Sequence, residues 1–464
     1  MSTNYQSSTY SAAAYRRFFV VAFATFAMAQ LAPSSVHAQY VDWVRQLGTA
    51  TVDGFWGVSA DASGTIYAVG DTAGSIFATQ QGGGDALLAK YDAAGNLLGG
   101  KQDGTSVSDQ LTVAVADGAG GVYVGGSSST GLFGPPRVGT GNNLFGHIDA
   151  ANNWTWLQQS ATDSVQGGGG ASTGLFLTAG TTFAAVAGPY AGGGDTMFSV
   201  RNLAGSVIQQ RQFGSTGFDG GNAGTIDSFG NYFVAGVTTG ALVGPNAGGA
   251  DAYIAKYDAA GTQLWIKQLG SAVTDASTSV VTDAGGNVYV AGITDGAIGG
   301  PNAGSSDNFV AKYDPAGNLL WTQQLGSAAA EFNPLVTYFL GGVWVSSSTY
   351  GSLFGPSAGN LDVYAARLDA GSGSVLWSTQ LGTANAEHAL AITVDPFIGK
   401  VYVAGITNGS FGGPHAGSDD AFLLAINGVP SVPEPTTLAI GSAGALLAVC
   451  MRGTRRCVAR RRSS

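Results

Sequence analysis

Cutting the chain at each copy of the tripeptide Gln-Leu-Gly gives nearly equal pieces. The tripeptide begins at Gln46, Gln268, Gln324 and Gln380, with degraded copies at Gln102, Gln158 and Gln212, and every interval is 56 residues except one of 54. Self-similarity at a fixed period of this size marks a repeat architecture, and it constrains the fold more than any local pattern. Within one unit, "ASTSVVTDAGGNVYVAGIT" from Ala276 reads as strand, turn and strand. A glycine-rich loop follows, and then "DNFVAKYDPAGNLLWTQQLG" from Asp307 reads as a second strand, turn and strand. The segments rich in β-branched and aromatic residues alternate with Asp-, Gly- and Asn-rich turns, which predicts a four-stranded antiparallel sheet per unit.

The repeating phrase is cut in two at the ends of the chain. "VDWVRQLG" from Val41 carries only its second half, and "DAFLLAINGVP" from Asp420 only its first. Seven sheets arranged radially bury their faces against one another and leave few exposed edges. The expected fold is therefore all-β: a seven-bladed β-propeller of four-stranded antiparallel blades. Its ring closes when the N-terminal strand supplies the outermost strand of the last blade. Two blades are expected to be irregular, the third at "DSVQGGGGASTGLFLTAG" and the sixth at "EFNPLVTYFLGGVWVSSS".

Both ends read as targeting segments. Arg16 and Arg17, an apolar run and "SVHA" before Gln39 describe a secretory signal peptide over residues 1–38, cut between Ala38 and Gln39. The propeller is expected over 39–428. Residues 429–464 contain Pro433, Glu434 and Pro435, then an apolar segment from Leu438 to about Met451, then six arginines. This order resembles the PEP-CTERM sorting tail. The resemblance implies transient insertion in the inner membrane of a Gram-negative bacterium and cleavage near the motif by an exosortase. Residence in the cell envelope, on the cell surface or in the extracellular matrix follows. The alternative is an uncut tail anchor.

The repeats resemble the SBBP family of bacterial β-propeller repeats. The likeness rests on Asp307, Ala311, Lys312, Asp314, Gly317, Leu325 and Gly326, with Asp283, Gly286, Val288, Tyr289, Val290, Ala291, Gly292 and Thr294. It implies the fold and leaves activity open, because propellers carry many unrelated functions.

Both cysteines, Cys450 and Cys457, lie in the tail, so the propeller has no disulfide. Removing the arginines of the signal and the tail leaves 11 basic residues against 29 acidic ones, a net charge near −18. A domain so charged repels nucleic acid and anionic lipid. The long second-to-third loops and the links from outer to inner strands must share one face, and the tight Asp-Gly hairpins the other. On the loop face, every unit places an acid before its inner strand: Asp53, Asp109, Asp163, Asp219, Asp275, Glu331 and Glu387. These could form a calcium-binding rim or could cap their own loops, and sevenfold recurrence favours capping. A looser set, Asp85, Asp195, Asp251, Asp307, Asp362 and Asp420, precedes the third strands.

Trp43, Trp265, Trp321 and Trp377 recur at the blade period and are expected to pack between blades. Trp56, Trp154, Trp156 and Trp344 lie off that register, and Trp154 with Trp156 is the aromatic pair best placed for ligand contact. His147, His388 and His415 fall in different units, with no metal spacing and no paired nucleophile. "RLDAGSGSVLW" from Arg367 is similar to the tryptophan-docking repeats of quinoprotein dehydrogenases, but those have eight blades and vicinal cysteines. No cofactor is therefore expected. The expected function is that of an exported, monomeric, non-catalytic propeller binding a polysaccharide, a protein or cations through its loop face, with signal peptidase and exosortase as processing partners. The alternative is a secreted carbohydrate-active enzyme using carboxylates of that face.

Overall fold

The computed structural model describes residues 40–128, 143–160, 167–171 and 174–428, the backbone alone for 167–171. It contains seven four-stranded sheets, each antiparallel and each in simple inner-to-outer order except the last. Blades 1 to 6 occupy residues 53–103, 109–160, 167–213, 219–269, 275–325 and 331–381. Blade 7 takes three strands from 387–427 and its outer strand, Val41–Leu47, from the other end of the chain. The processing residues Ala38, Gln39, Pro433, Glu434 and Pro435 lie outside the described residues, as do Asp163 and the apolar tail segment. Among the described residues no helix is long and apolar enough to cross a membrane.

The strands form where the sequence places runs such as Val288–Thr294 and Asp307–Tyr313, which are buried on nearly every residue. A blade in the ring is covered on both faces, so its middle strands read as continuous apolar runs. Clusters at the blade junctions hold large side chains, among them Tyr67, Tyr289, Tyr364, Tyr402 and Phe309. Burying each such side chain contributes about 1.5–3 kcal/mol. Turns between strands follow one design. In blade 5 the Asp283 carboxylate accepts from the amides of Gly285 and Asn287, both at 2.9 Å, while Gly286 takes a φ of +78°. A side chain there would be strained.

The tripeptide that sets the period has a mechanical reason. In blade 5 the Gln324 amide nitrogen donates to Asp307 Oδ2 at 2.7 Å and to the Gly296 carbonyl, and its oxygen accepts from the amides of Ile298 and Gly299. One glutamine thus fastens the long loop to the third strand. The glycine two residues on, Gly326, lies against the same aspartate, where a Cβ would fall 2.1 Å from its carboxylate. The same clamp closes the ring. Gln46 donates to Asp420 at 2.7 Å and to Gly409 at 2.9 Å and accepts from Phe411 and Gly412, and a Cβ at Gly48 would fall 2.0 Å from the Asp420 carboxylate.

The two suspect blades are complete but altered. The inner strand of blade 3 shrinks to five residues, Gly167–Ala171. Blade 6 replaces the Asp turn with a two-residue hairpin in which Leu340 and Gly341 take φ of 45° and 70°, as the primed turns require, and a bulge separates Phe332 from Leu335. The outer strand of blade 2 corrects the sequence register. Trp156 pairs with His147 as Trp265 pairs with Lys256, so Trp156 belongs to the recurring tryptophan position, and Gln159 rather than Gln158 occupies the clamp position.

Closure by a repeat motif predicts equal sensitivity at distant sites. Gly48→Ala and Gly326→Ala should each destabilise by about 1–3 kcal/mol, the cost of forcing atoms into a packed site, in chemical denaturation of the two variants. Loss at Gly326 alone would contradict closure.

Candidate functional site

The recurrent acids are occupied by their own loops. Asp219 accepts from the amide and hydroxyl of Ser215, Asp275 from those of Ser271, and Glu387 from those of Thr383. Asp53, Asp109 and Glu331 do the same with Thr49, Thr105 and Ser327. The acid's backbone then crosses to the preceding blade, as when the Asp275 amide donates to the Ala250 carbonyl at 2.8 Å. Among the described residues no group of three or more His, Cys, Asp or Glu is placed to hold one metal ion.

Burial pushes the carboxyls of Asp53, Asp109, Asp275 and Glu331 above their ordinary range. Hydrogen bonds offset part of the shift, and the third-strand aspartate of the preceding blade adds to it. Asp61 and Asp117, in hairpin turns, shift down: burial is outweighed by hydrogen bonds from Ser63 and Tyr67 in one case and from Ala119, His147 and Gly121 in the other.

A site in a repeat protein shows where one unit departs from the others. On the second strand, the residue before the recurrent Ser or Thr is Ser127, Thr181, Val237, Ile293, Ser348 or Ile406 in six blades, and Asp71 in blade 1. Its Oδ1 accepts from Trp56 Nε1 at 2.6 Å and from Gln110 Nε2 at 3.0 Å. Burial raises its pKa, which these two bonds partly offset. Trp56 is equally exceptional, occupying an inner-strand level that holds Thr112, Asn222, Thr278 and Leu390 elsewhere. It lines the central channel, a cavity of about 230 Å³ that has no ionisable side chain in its lining among the described residues.

The arc continues through the neighbouring blades. Phe332 and His388 are the second residues of the inner strands of blades 6 and 7, with ring centroids 5.6 Å apart, and Phe332 meets Tyr350 edge-on at 5.2 Å. Burial lowers the His388 pKa. At the same level blades 4 and 5 have only Gly220 and Ala276. The loop-face mouth of the channel is therefore lopsided, with an indole, a half-buried carboxylate, an amide, an imidazole and two further rings in consecutive blades 6, 7, 1 and 2. Such a set can stack on a ring and exchange hydrogen bonds with hydroxyls.

The other residues singled out in the sequence do not join it. Trp154 and Trp156 are separated by a strand bulge and point to opposite neighbours, Trp154 to Asp103 of blade 1 at 2.8 Å and Trp156 to the Leu203 carbonyl of blade 3 at 3.1 Å. They form no common platform. Trp43, Trp265 and Trp321 each donate to a turn carbonyl of the next blade at 3.2 Å, as interblade packing requires. Trp344 is buried against Trp377. His147 bonds Asp117 on the hairpin face at 2.9 Å, and His415 lies 3.4 Å from Asp420.

Comparison with protein families finds no match to this chain, and comparison with curated proteins finds none. Solved structures match it by fold. Raptor from Chaetomium thermophilum has a TM-score of 0.52 at 9% identity, covering 85% of this chain and 30% of that one. Quinohemoprotein alcohol dehydrogenase from Comamonas testosteroni scores 0.42 at 12% identity, covering 85% and 77%, and polysaccharide lyase Uly1 scores 0.45 at 10%, covering 85% and 94%. At such identities the likeness is one of architecture alone.

The opposed carboxyl shifts predict an uncommon pH profile. An acid whose folded pKa is raised stabilises the fold most when protonated, so its contribution grows as pH falls from neutrality toward the unfolded value near 3.8. The lowered Asp61 and Asp117 contribute above that value and lose their contribution below it. His388, buried neutral, opposes the first trend below about 6.5. In a His388→Gln background the melting temperature should rise as pH falls from neutrality toward the unfolded carboxyl value near 3.8 and fall below it. A steady decline from pH 7 downward would sink this assignment.

Proposed function

We propose that this chain is an exported, non-catalytic binding propeller of the Gram-negative cell envelope or extracellular matrix, which holds a neutral polysaccharide at the arc of blades 6, 7, 1 and 2. The observation that carries the reading is Trp56–Asp71–Gln110, an aromatic, a carboxylate and an amide joined by hydrogen bonds. Among the described residues no other blade has an aromatic ring at the Trp56 level or a carboxylate at the Asp71 level. Tyr350, half exposed, adds a ring at the rim. Net negative charge turns the preference toward uncharged polymers.

An enzyme acting on glycosidic bonds needs two carboxyl groups free to act as acid and as base or nucleophile. Asp53, the inner-strand acid beside Asp71, already receives Thr49 and Thr72. This favours binding over catalysis. The same occupancy favours capping over a calcium rim for the inner-strand acids. Processing by signal peptidase at Ala38–Gln39 and by an exosortase at Pro433–Pro435 belongs to this reading, as does kinship with SBBP repeats, which rests on the repeat phrase alone.

Affinity electrophoresis through gels containing neutral bacterial polysaccharides tests it. Wild-type protein should be retarded by at least one polymer, Trp56→Ala and Tyr350→Ala should run as in an empty gel, and no new reducing ends should form. Release of reducing ends that Asp71→Asn abolishes would replace the binding module with an enzyme.

A further inference from the structure

The chain enters and leaves the propeller on the hairpin face. The Asn427 amide donates to the Tyr40 carbonyl, and the Gly428 amide donates to Gly399 in the first hairpin of blade 7, both at 2.7 Å. Beside this point the hairpin tips change character. Blades 1, 2 and 5 carry Ala62–Ser63, Gly118–Ala119 and Ala284–Gly285 there, whereas blade 6 has Leu340, 67% exposed, and blade 7 has Phe397, 70% exposed, with Ile398. Phe229 of blade 4, 64% exposed, and Leu203 of blade 3 extend the apolar set across the same face. None of these side chains is required by the turn that bears it, since the Asp turns of blades 1, 2 and 5 close with small residues.

We infer that the hairpin face is a membrane-seating surface, with Leu340, Phe397, Ile398 and Phe229 entering the interface of a zwitterionic bilayer while the tail is inserted. This rests on the proposed tail. The nine residues between Gly428 and Leu438 reach about 30 Å at most when fully extended, so an inserted tail holds this face, not the loop face, near the lipid. Large apolar tips projecting from a polar rim suit the interfacial zone, where aromatic rings settle at headgroup depth. Charge selects the lipid. Asp92, Asp149, Asp314 and Asp369 stand in turns of the same face, and Lys400, Lys90, Lys256 and Lys312 donate to carbonyls of those turns. The face thus pairs both signs, as a zwitterionic surface does, while the excess of acids over the propeller disfavours an anionic one. The loop face, with the polysaccharide arc, then points away from the membrane.

The test uses the chain from Gln39 to Ser464 with Cys450→Ser and Cys457→Ser, labelled with an environment-sensitive fluorophore at Phe397→Cys or, on the loop face, at Val243→Cys, and mixed with phosphatidylcholine vesicles. Flotation reports the tail and fluorescence reports the face. Expected are flotation of both, a severalfold emission rise at position 397 with none at 243, loss of that rise in Leu340→Asp/Ile398→Asp, and a smaller rise on vesicles rich in phosphatidylserine. Flotation without a rise at 397, or with a rise at 243, overturns the seating surface and leaves the tail reading intact. Failure to float overturns both.

Discussion

A single side-chain clamp holds this architecture together: a glutamine on the outer strand that binds the third-strand aspartate with its nitrogen and the long loop with both ends of its amide. Each clamp ties three segments that are adjacent in space but separated in sequence. Bonds of this kind to a buried carboxylate contribute about 1.5–3 kcal/mol, and leaving the partner unpaired costs a similar amount. The repeated glycine follows from it, since Gly326 and Gly48 sit where the aspartate leaves no space for a Cβ. At the ring closure the glutamine and the aspartate are 374 residues apart, yet the geometry is that of the internal blades. Closure is thus one more blade contact and not a separate device.

Once the clamp, the capping acids and the Asp turns have taken their share, little polar capacity is left for function. Among the described residues, carboxylates that look like a charged rim in the sequence each give one oxygen to their own loop's amide, while Asp219 Oδ1 is buried without a hydrogen-bond partner. What the scaffold does not use is found where blades differ: the bonded pair Asp71 and Trp56 at the channel mouth, Phe332, His388 and Tyr350 beside them, and the apolar tips opposite. The sevenfold scaffold is uniform, and the candidate surfaces are its exceptions.

Much of the fold was legible because a period is a global signal. The split phrase at Val41 and Asp420 implied the closing strand, and the recurring Asp and Gly implied the turns. The same reliance on counting misplaced blade 2, where Trp156 and Gln159 keep their structural positions although the spacing shifts by one residue. It also made a pair of Trp154 and Trp156, which a bulge sends to opposite sides. Asp71 was missed for a related reason: in one repeat an aspartate beside a strand end looks ordinary. Only alignment of the second strands, where its counterparts are Ser, Thr, Val and Ile, makes it exceptional. Its link to Trp56 spans two strands and is visible only in three dimensions.

The most direct measurement is a double-mutant cycle on Gln46→Ala and Asp420→Ala, set beside the same cycle on Gln324→Ala and Asp307→Ala, with stability read from denaturant unfolding. Ring closure by the repeat clamp predicts coupling energies of equal sign and similar size, about 1–3 kcal/mol in each pair. Coupling between Gln324 and Asp307 with none between Gln46 and Asp420 would mean that the two ends do not share a blade.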